Sequence, residues 1–242
     1  MTATVWSNFW KKQDSSTHEI MKLSTSYFIK KMDRQYSLKS TDAIFDYGCG
    51  PGFMAEYLAD KQIKLTGADI NEEFIRECRE KFPSGKFIVV TEDVEKNRII
   101  LDTELVGEKK FDYIILLSIS QYFPSVHELQ TLLKLLAGYL SCEGKMVVAD
   151  VIQPTGSRMS DGVALLLHSF LRFRLLALGK FLTHIFTSNY RDISKETQLL
   201  ALSSSDMEQI GASLLLSCTE VKGLTMHPGR TSYVFEHPKI TK

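Results

Sequence analysis

The sequence predicts a doubly wound α/β domain with a mostly parallel sheet, and three observations carry that reading. From residue 43 onward, short apolar runs alternate with longer helical stretches. The runs are continuously apolar rather than alternating, as in strands buried on both faces. The first run ends in a glycine-rich turn, "DYGCGPG" at 46–52, that opens a helix. Strand, helix and strand in repetition stack into a parallel sheet between helical layers. Ligands of such sheets sit beyond the carboxyl ends of the strands, near the point where strand order switches.

Taken in order, the strand candidates are 43–48 (AIFDYG), 64–70, 86–92, 111–118 and 145–152, with 217–225 and 231–237 closing the chain. Helices are expected over 53–61, 72–82 and 126–140. Asn71 is placed to cap the second, and Ser125 with Glu128 forms a capping-box pattern before the third. Ser205 with Glu208 repeats the pattern before a helix near 206–216. Residues 1–42 read as one or two helices of mixed aromatic and basic character, either a packing cover for one edge or a lid over the site.

The 242 residues are 44% hydrophobic and carry 29 Lys+Arg against 29 Asp+Glu. That is enough apolar material for a sizeable single-domain core. A net charge near zero argues against nucleic-acid binding by phosphate neutralisation. Cys49, Cys78, Cys142 and Cys218 are widely spaced and form no C-x-x-C pair, so a reduced, cytoplasmic protein without a structural metal is expected. The opening "MTATVWSNFWKKQ" lacks the basic-then-apolar order of a leader. No apolar run reaches the roughly 20 residues of a membrane-spanning helix.

The glycine turn carries the chemistry. Glycines at a strand end allow positive φ and close approach of a ligand, and the next helix points its free N–H groups at whatever is bound. A dinucleotide fingerprint would read G-x-G-x-x-G; Gly48 and Gly50 fit, but the sixth position is Phe53 and the third glycine, Gly52, comes one residue early. Asp46, two residues before the first glycine, sits badly with a pyrophosphate and suits a cation.

These residues resemble motif I of the class I S-adenosylmethionine-dependent methyltransferases, small-molecule type, and the spacing downstream agrees. The resemblance implies a seven-stranded, mostly parallel sheet with an antiparallel last strand, a Rossmann-like methyltransferase fold. It covers 43–152 most clearly and extends to 205–237 ("SSDMEQIGASLL" and two strands). It divides a single domain into an N-terminal helical cover (1–42), a cofactor core (43–152), a helical acceptor insertion (153–204) and a closing helix with strands (205–242). It implies that Asp46, Tyr47, Gly48, Cys49, Gly50 and Gly52 surround the cofactor. In "GADINEEFI", Asp69 lies 21 residues beyond Gly48 and would take the ribose hydroxyls, with Ile70 on the adenine. In "TEDVE", Asp93 would accept from the exocyclic amine and Val94 would offer its backbone N–H. Leu117 and Ser118 end "FDYIILLS" under the methionine part.

The implied reaction is methyl transfer from S-adenosylmethionine, leaving S-adenosylhomocysteine, to a small organic acceptor, with no metal. The reactive chemistry belongs to the cofactor; the protein orients two reactants in a dry site. A base is needed only where the acceptor must lose a proton. Many family members carry histidine after the fourth strand, whereas this chain has "SISQYF", so Gln121 and Tyr122 become acceptor-binding candidates. Asp150, at the end of the fifth strand, is a base or acceptor-orienting candidate, and His168 is the histidine candidate. His18, His127, His184, His227 and His237 read as surface or packed residues.

About 50 residues separate the fifth strand from the last helix, long for such a fold. Within them, 163–186 is apolar at helical spacing. Ser169, Arg172, Lys180 and Thr183 project to one side, and Arg174 falls among Leu167, Phe170, Leu178 and Phe181. A lid over an apolar acceptor pocket, with Phe170, Arg174 and Tyr190 as acceptor contacts, competes with an interfacial membrane helix over 162–187 and with a dimer contact. Monomer and homodimer both stay open. O-methylation of a hydroxylated, partly apolar metabolite leads; N- or C-methylation, a lipid acceptor and a catalytically silent partner subunit are the alternatives. The N/D-P-P-Y loop of nucleic-acid amino-methylating enzymes is absent from "LSIS" at 117–120.

Overall fold

The computed structural model describes residues 18–93, 98–100, 110–154, 199–227 and 229–239. Helix α1 (His18–Tyr36) precedes β1 (Ala43–Tyr47), α2 (Phe53–Asp60), β2 (Lys64–Asp69), α3 (Glu72–Lys81) and β3 (Lys86–Val89). A hairpin of β4 (Thr91–Asp93) and β5 (Arg98–Ile100) follows, then β6 (Phe111–Leu117), a 3-10 turn (Ser120–Tyr122), α4 (Val126–Ala137) and β7 (Leu140–Ile152). Helix α5 (Ser204–Ser213), β8 (Ser217–Val221) and β9 (Arg230–Glu236) end the chain. Among the described residues no helix is long and apolar enough to cross a membrane. The insertion readings over 155–198, and with them His168, Phe170, Arg174 and Tyr190, lie outside the described residues, as does 1–17 of the N-terminal cover.

The main sheet runs β3-β2-β1-β6-β7-β9-β8. Strands β1, β2, β3, β6 and β7 are parallel; β9 runs antiparallel to both β7 and β8. The seven-stranded sheet with its reversed last strand is the one expected from the sequence. Strand order switches between β1, which continues to β2 on one side, and β6 on the other. That crevice is where ligands of open α/β sheets bind. Because β9 is antiparallel, its first residue, Arg230, lies at the same end, paired with Ile152.

The continuous apolar runs have the predicted cause. Successive side chains of a strand face opposite sides. Phe45, Ile114, Leu116, Met146, Val148, Tyr233 and Phe235 enter one core with α4 and α5, while Ile44, Ile115, Val147 and Val234 enter the other with α1, α2 and α3. Helix α4 contributes Leu129, Leu132, Leu133 and Leu136, the i, i+3, i+4, i+7 stripe of an amphipathic helix. On the opposite face Phe28, Ile29 and Met32 of α1 are fully buried. Asp33 fastens α1 to α2, accepting from the Tyr57 hydroxyl at 2.6 Å and from Lys61 Nζ at 2.5 Å. The lower part of α1 is therefore a packing cover.

Several boundaries differ from expectation. The run 86–92 is not one strand: β3 stops at Val89, and Thr91–Asp93 turn away to pair with Arg98–Ile100 in a separate hairpin. The last helix is capped by Ser203, not Ser205. Ser203 Oγ accepts from Asp206 N, and the Asp206 carboxylate accepts from Ser203 N, so a shorter acid completes the box two residues earlier. Strand β7 begins at Leu140, five residues early, because Phe111 pairs with Leu140 before the register shifts to Tyr113 and Lys145. That pairing ends α4 at Ala137. Ser125 caps α4 as expected, accepting from Glu128 N at 3.2 Å.

Candidate active site

The glycine turn follows β1 directly. Gly48, Gly50 and Gly52 have φ of +82, +53 and +83, the left-handed region that glycine tolerates best. Gly48 N and Cys49 N both donate to Ala68 O, at 2.7 and 3.0 Å, which pins the turn to the end of β2. Part of the room the glycines leave is taken by protein. A Cβ at Gly48 would stand 2.3 Å from Ile119 Cδ1, one at Gly50 would stand 3.2 Å from Met21 Cε, and one at Gly52 would stand 2.8 Å from Cys78 Sγ. Three elements thus dock on the turn: the loop after β6, helix α1 and helix α3. Gly52 also precedes α2 without any side-chain cap, so the helix N-terminus keeps donors for a ligand. Gly52→Ala is expected to cost about 2–3 kcal/mol, from backbone strain plus overpacking against Cys78 and Phe82. Gly50→Ala should cost less, because only the end of a flexible methionine must move; thermal unfolding of the two variants checks the order.

Asp69 ends β2 and is bound on both oxygens. Oδ2 accepts from Gly50 N at 2.8 Å and Oδ1 from Asn71 N at 2.8 Å. Asn71 in turn caps α3, accepting from Glu73 N and Phe74 N. Each carboxylate oxygen retains a further lone pair for a ligand hydroxyl. Burial raises the Asp69 carboxyl above its ordinary range, and the N–H groups of Asn71, Gly50 and Ile70 hold it back. Asp46 is only 3% exposed. Its burial, with the charge of Asp69 nearby, pushes its pKa to about 7. A buried carboxyl half-ionised at neutral pH is a place where a cation is welcome.

Of the other residues expected around the cofactor, Tyr47, Cys49, Ile70 and Leu117 stand at or just beyond the ends of β1, β2 and β6. Tyr47 is buried, and its hydroxyl has no partner among the described residues. The thiols of Cys49 and Cys78 both donate toward Gly50 O, at 3.7 and 3.5 Å. A hydrogen bond with Cys78 and burial raise the Cys49 thiol, so it stays neutral. Ile70 and Leu117 are half-buried. Asp93 ends β4 opposite Arg98 in the hairpin; its side chain, and Val94, lie outside the described set.

Across the switch point stands a second polar group. Ser118 follows β6 with φ +58, and Asp150 near the end of β7 has φ +65; neither is glycine. Such conformations persist only where the surroundings impose them, and they gather at functional sites. Asp150 lies where the β7–β9 register is interrupted, a bulge that re-aims its side chain. Ser118 Oγ donates to Asp150 Oδ2 at 2.7 Å, while Asp150 Oδ1 is buried with no partner among the described residues. Gln121 is buried, and the neighbouring Ser120 Oγ is buried without a partner in the same set. Tyr122 is half-buried in the 3-10 turn.

Sequence reasoning missed Arg230, Ile119, Met21 and His18. Arg230 Nη1 donates to Asp150 O at 3.2 Å and Gln121 Oε1 at 3.4 Å, joining residues 80 and 109 positions away. The antiparallel last strand was the available signal, because it returns "MHPGR" to the ligand end of the sheet. His18 is packed, one of the two readings its sequence position offered. Its ring stands edge-on to Phe53 and Phe74 at 5.9 and 5.6 Å. His127 and His237 are exposed, as expected.

Residues 45–146 match the family model described as a methyltransferase domain. No curated protein matches the chain. Among solved structures, DesVI of Streptomyces venezuelae is 14% identical over 94% of this chain and 100% of its own, with a TM-score of 0.56. Magnesium protoporphyrin IX methyltransferase of Synechocystis PCC 6803, solved with bound S-adenosylmethionine, is 13% identical over 97% and 95%, at 0.55. A TehB-like methyltransferase of Corynebacterium glutamicum is 14% identical over 88% and 88%, at 0.53. At such identities the structures speak for the fold, whereas the matched segment runs from β1 into β7 and holds the glycine turn and Asp69. Residues 45–146 thus form a segment similar to a methyltransferase domain, and the chain has the Rossmann-like fold of these methyltransferase structures.

Proposed function

We propose that the chain transfers a methyl group from S-adenosylmethionine to a hydroxyl of a small, partly apolar acceptor. The residues present fit that cofactor. Asp69 offers two oriented carboxylate oxygens to a diol. The glycine turn gives close backbone approach, and Asp46 supplies negative charge for a cationic ligand. The bound Synechocystis relative supports the same assignment. The cofactor supplies an activated methyl group on a positive sulfur; the rest is positioning.

The observation that carries the acceptor reading is the Asp150 carboxyl. One oxygen is fixed by Ser118, and the other is buried without a partner among the described residues, at the ligand end of the central strands. A proton-bearing nucleophile would complete it. Arg230 Nη1 donates to the Asp150 backbone carbonyl and so brings a positive charge beside this residue. A guanidinium this near favours a neutral hydroxyl over a cationic ammonium. Asp150 then receives the hydroxyl proton as the oxygen attacks the methyl carbon, and Gln121 and Tyr122 line the acceptor side. Ser120, deeply buried beside Gln121, adds a hydroxyl to the same nest.

The test is transfer of labelled methyl from S-adenosylmethionine to a panel of phenols, catechols, hydroxy acids and amines. Asp150→Asn keeps the shape but loses the base. Its expected effect is a fall in turnover of roughly 10²–10⁴-fold with cofactor affinity unchanged. Preferential labelling of amines, with Asp150→Asn as active as the parent, would exclude the hydroxyl reading.

A further inference from the structure

Helix α1 has a second use beyond packing, visible at its first turn. His18, Met21 and Lys22 share one face, at i, i+3 and i+4. Met21 Cε lies against Gly50, whose N–H donates to Asp69. Lys22 pairs with Glu56 and stands over the Phe53 ring, holding the turn to the start of α2. His18 lies one turn further, between the rings of Phe53 and Phe74, and Phe74 N donates to Asn71 Oδ1. The face therefore runs from Gly50, whose N–H holds Asp69, to Phe74, whose N–H is held by Asn71. His18 Nε2 is buried, with no hydrogen-bond partner among the described residues.

The chemistry of the strip leaves a donor missing. Asp69 only accepts, so two ligand hydroxyls that donate to it keep lone pairs that need a donor. The backbone N–H groups of Gly50 and Asn71 are already spent on Asp69 itself. We infer that His18 is a cofactor-binding residue, donating from Nε2 to a ribose hydroxyl that in turn donates to Asp69, and that the first turn of α1 forms the outer wall of the nucleoside site. This rests on the S-adenosylmethionine reading above. The ring contacts fix the imidazole plane.

The full chain would be titrated calorimetrically with S-adenosylmethionine and with 5′-methylthioadenosine, which keeps the nucleoside and lacks the amino-acid part. His18→Phe preserves both ring contacts and removes the nitrogens. It is expected to weaken both ligands by the same factor, about tenfold, for one lost hydrogen bond to a polar ligand. His18→Gln, which restores a donor, should recover part of the loss, and an unchanged thermal transition in His18→Phe shows that the fold is intact. Unaltered affinity for both ligands overturns the assignment. A loss confined to S-adenosylmethionine also overturns it, because the contact would then be to the amino-acid part. If the parent chain binds neither ligand, the cofactor reading itself fails; if the parent binds and only Asp69→Ala loses binding, the cofactor reading stands and the His18 inference falls.

Discussion

Asp69→Ala is expected to reduce affinity for S-adenosylmethionine by roughly 10²–10⁴-fold, the effect of losing two charge-assisted hydrogen bonds in a partly buried site. The same change removes the acceptor for Gly50 N and Asn71 N, so stability should fall by about 1–2 kcal/mol. The two effects separate with Asp69→Asn, which keeps one carbonyl oxygen for the backbone but loses the charge and the second acceptor. Calorimetry reads the affinity, and denaturant unfolding of the ligand-free chains reads the stability. A parent chain that binds in the micromolar range beside an Asp69→Ala variant that binds equally well would remove Asp69 from the site.

Asp46→Asn should move stability and binding in opposite directions. The folded-state carboxyl titrates near 7 rather than 3.8, chiefly because it is buried and secondarily because Asp69 lies close. A raised folded pKa means that the native state holds a proton the unfolded chain would release. The associated stability is full below pH 3.8 and is lost as pH rises to about 7. Above that window the native protein bears the cost of a buried charge, and Asn removes it. The ligand-free variant should be more stable than the parent at pH 8 by roughly 2–4 kcal/mol, and indistinguishable in this respect at pH 4.

Binding should worsen where stability improves. A cationic ligand draws the proton off Asp46, so the parent's affinity for S-adenosylmethionine should rise through pH 7, with proton release seen as a buffer-dependent binding heat. Asp69 is raised by burial and held back by its N–H donors, and Tyr47 and Cys49 stay neutral throughout. In Asp46→Asn the rise should vanish and affinity should drop about 10–100-fold. Comparison with S-adenosylhomocysteine, whose sulfur is neutral, separates two contacts. A loss with both ligands places Asp46 against the ammonium group, a loss with the sulfonium ligand alone places it against sulfur, and no loss with either removes the cation site.

The parts of the fold legible in the sequence are those written in local pattern. Continuous apolar runs specified buried parallel strands, and the leucine stripe at 129–136 specified α4. The glycine turn was legible because positive φ at a strand end restricts the choice of residue, and Asp69 because its distance from the turn is set by one βαβ unit. Boundaries that depend on a partner were not. Thr91–Asp93 has strand propensity but leaves the sheet to pair with a later segment, and Ser203 rather than Ser205 caps α5 because Asp206 closes the box. Asp150 was picked for its place after an apolar strand; the bulge that aims it and Ser118 that fixes it are pairing effects invisible in one dimension.

The sequence by itself determined the architecture, the position of the glycine turn and the acids that face it. It did so because backbone conformation, strand periodicity and helix capping are encoded within a few residues of each other. The tertiary structure decided what stands around those residues. Ile119, Met21 and Cys78 fill the space the glycines leave, His18 packs against Phe74, and Arg230 returns on an antiparallel strand to meet Gln121 and Asp150. Those contacts join segments far apart in the chain. They depend on strand order and on the direction of the last strand, which no local window of sequence specifies.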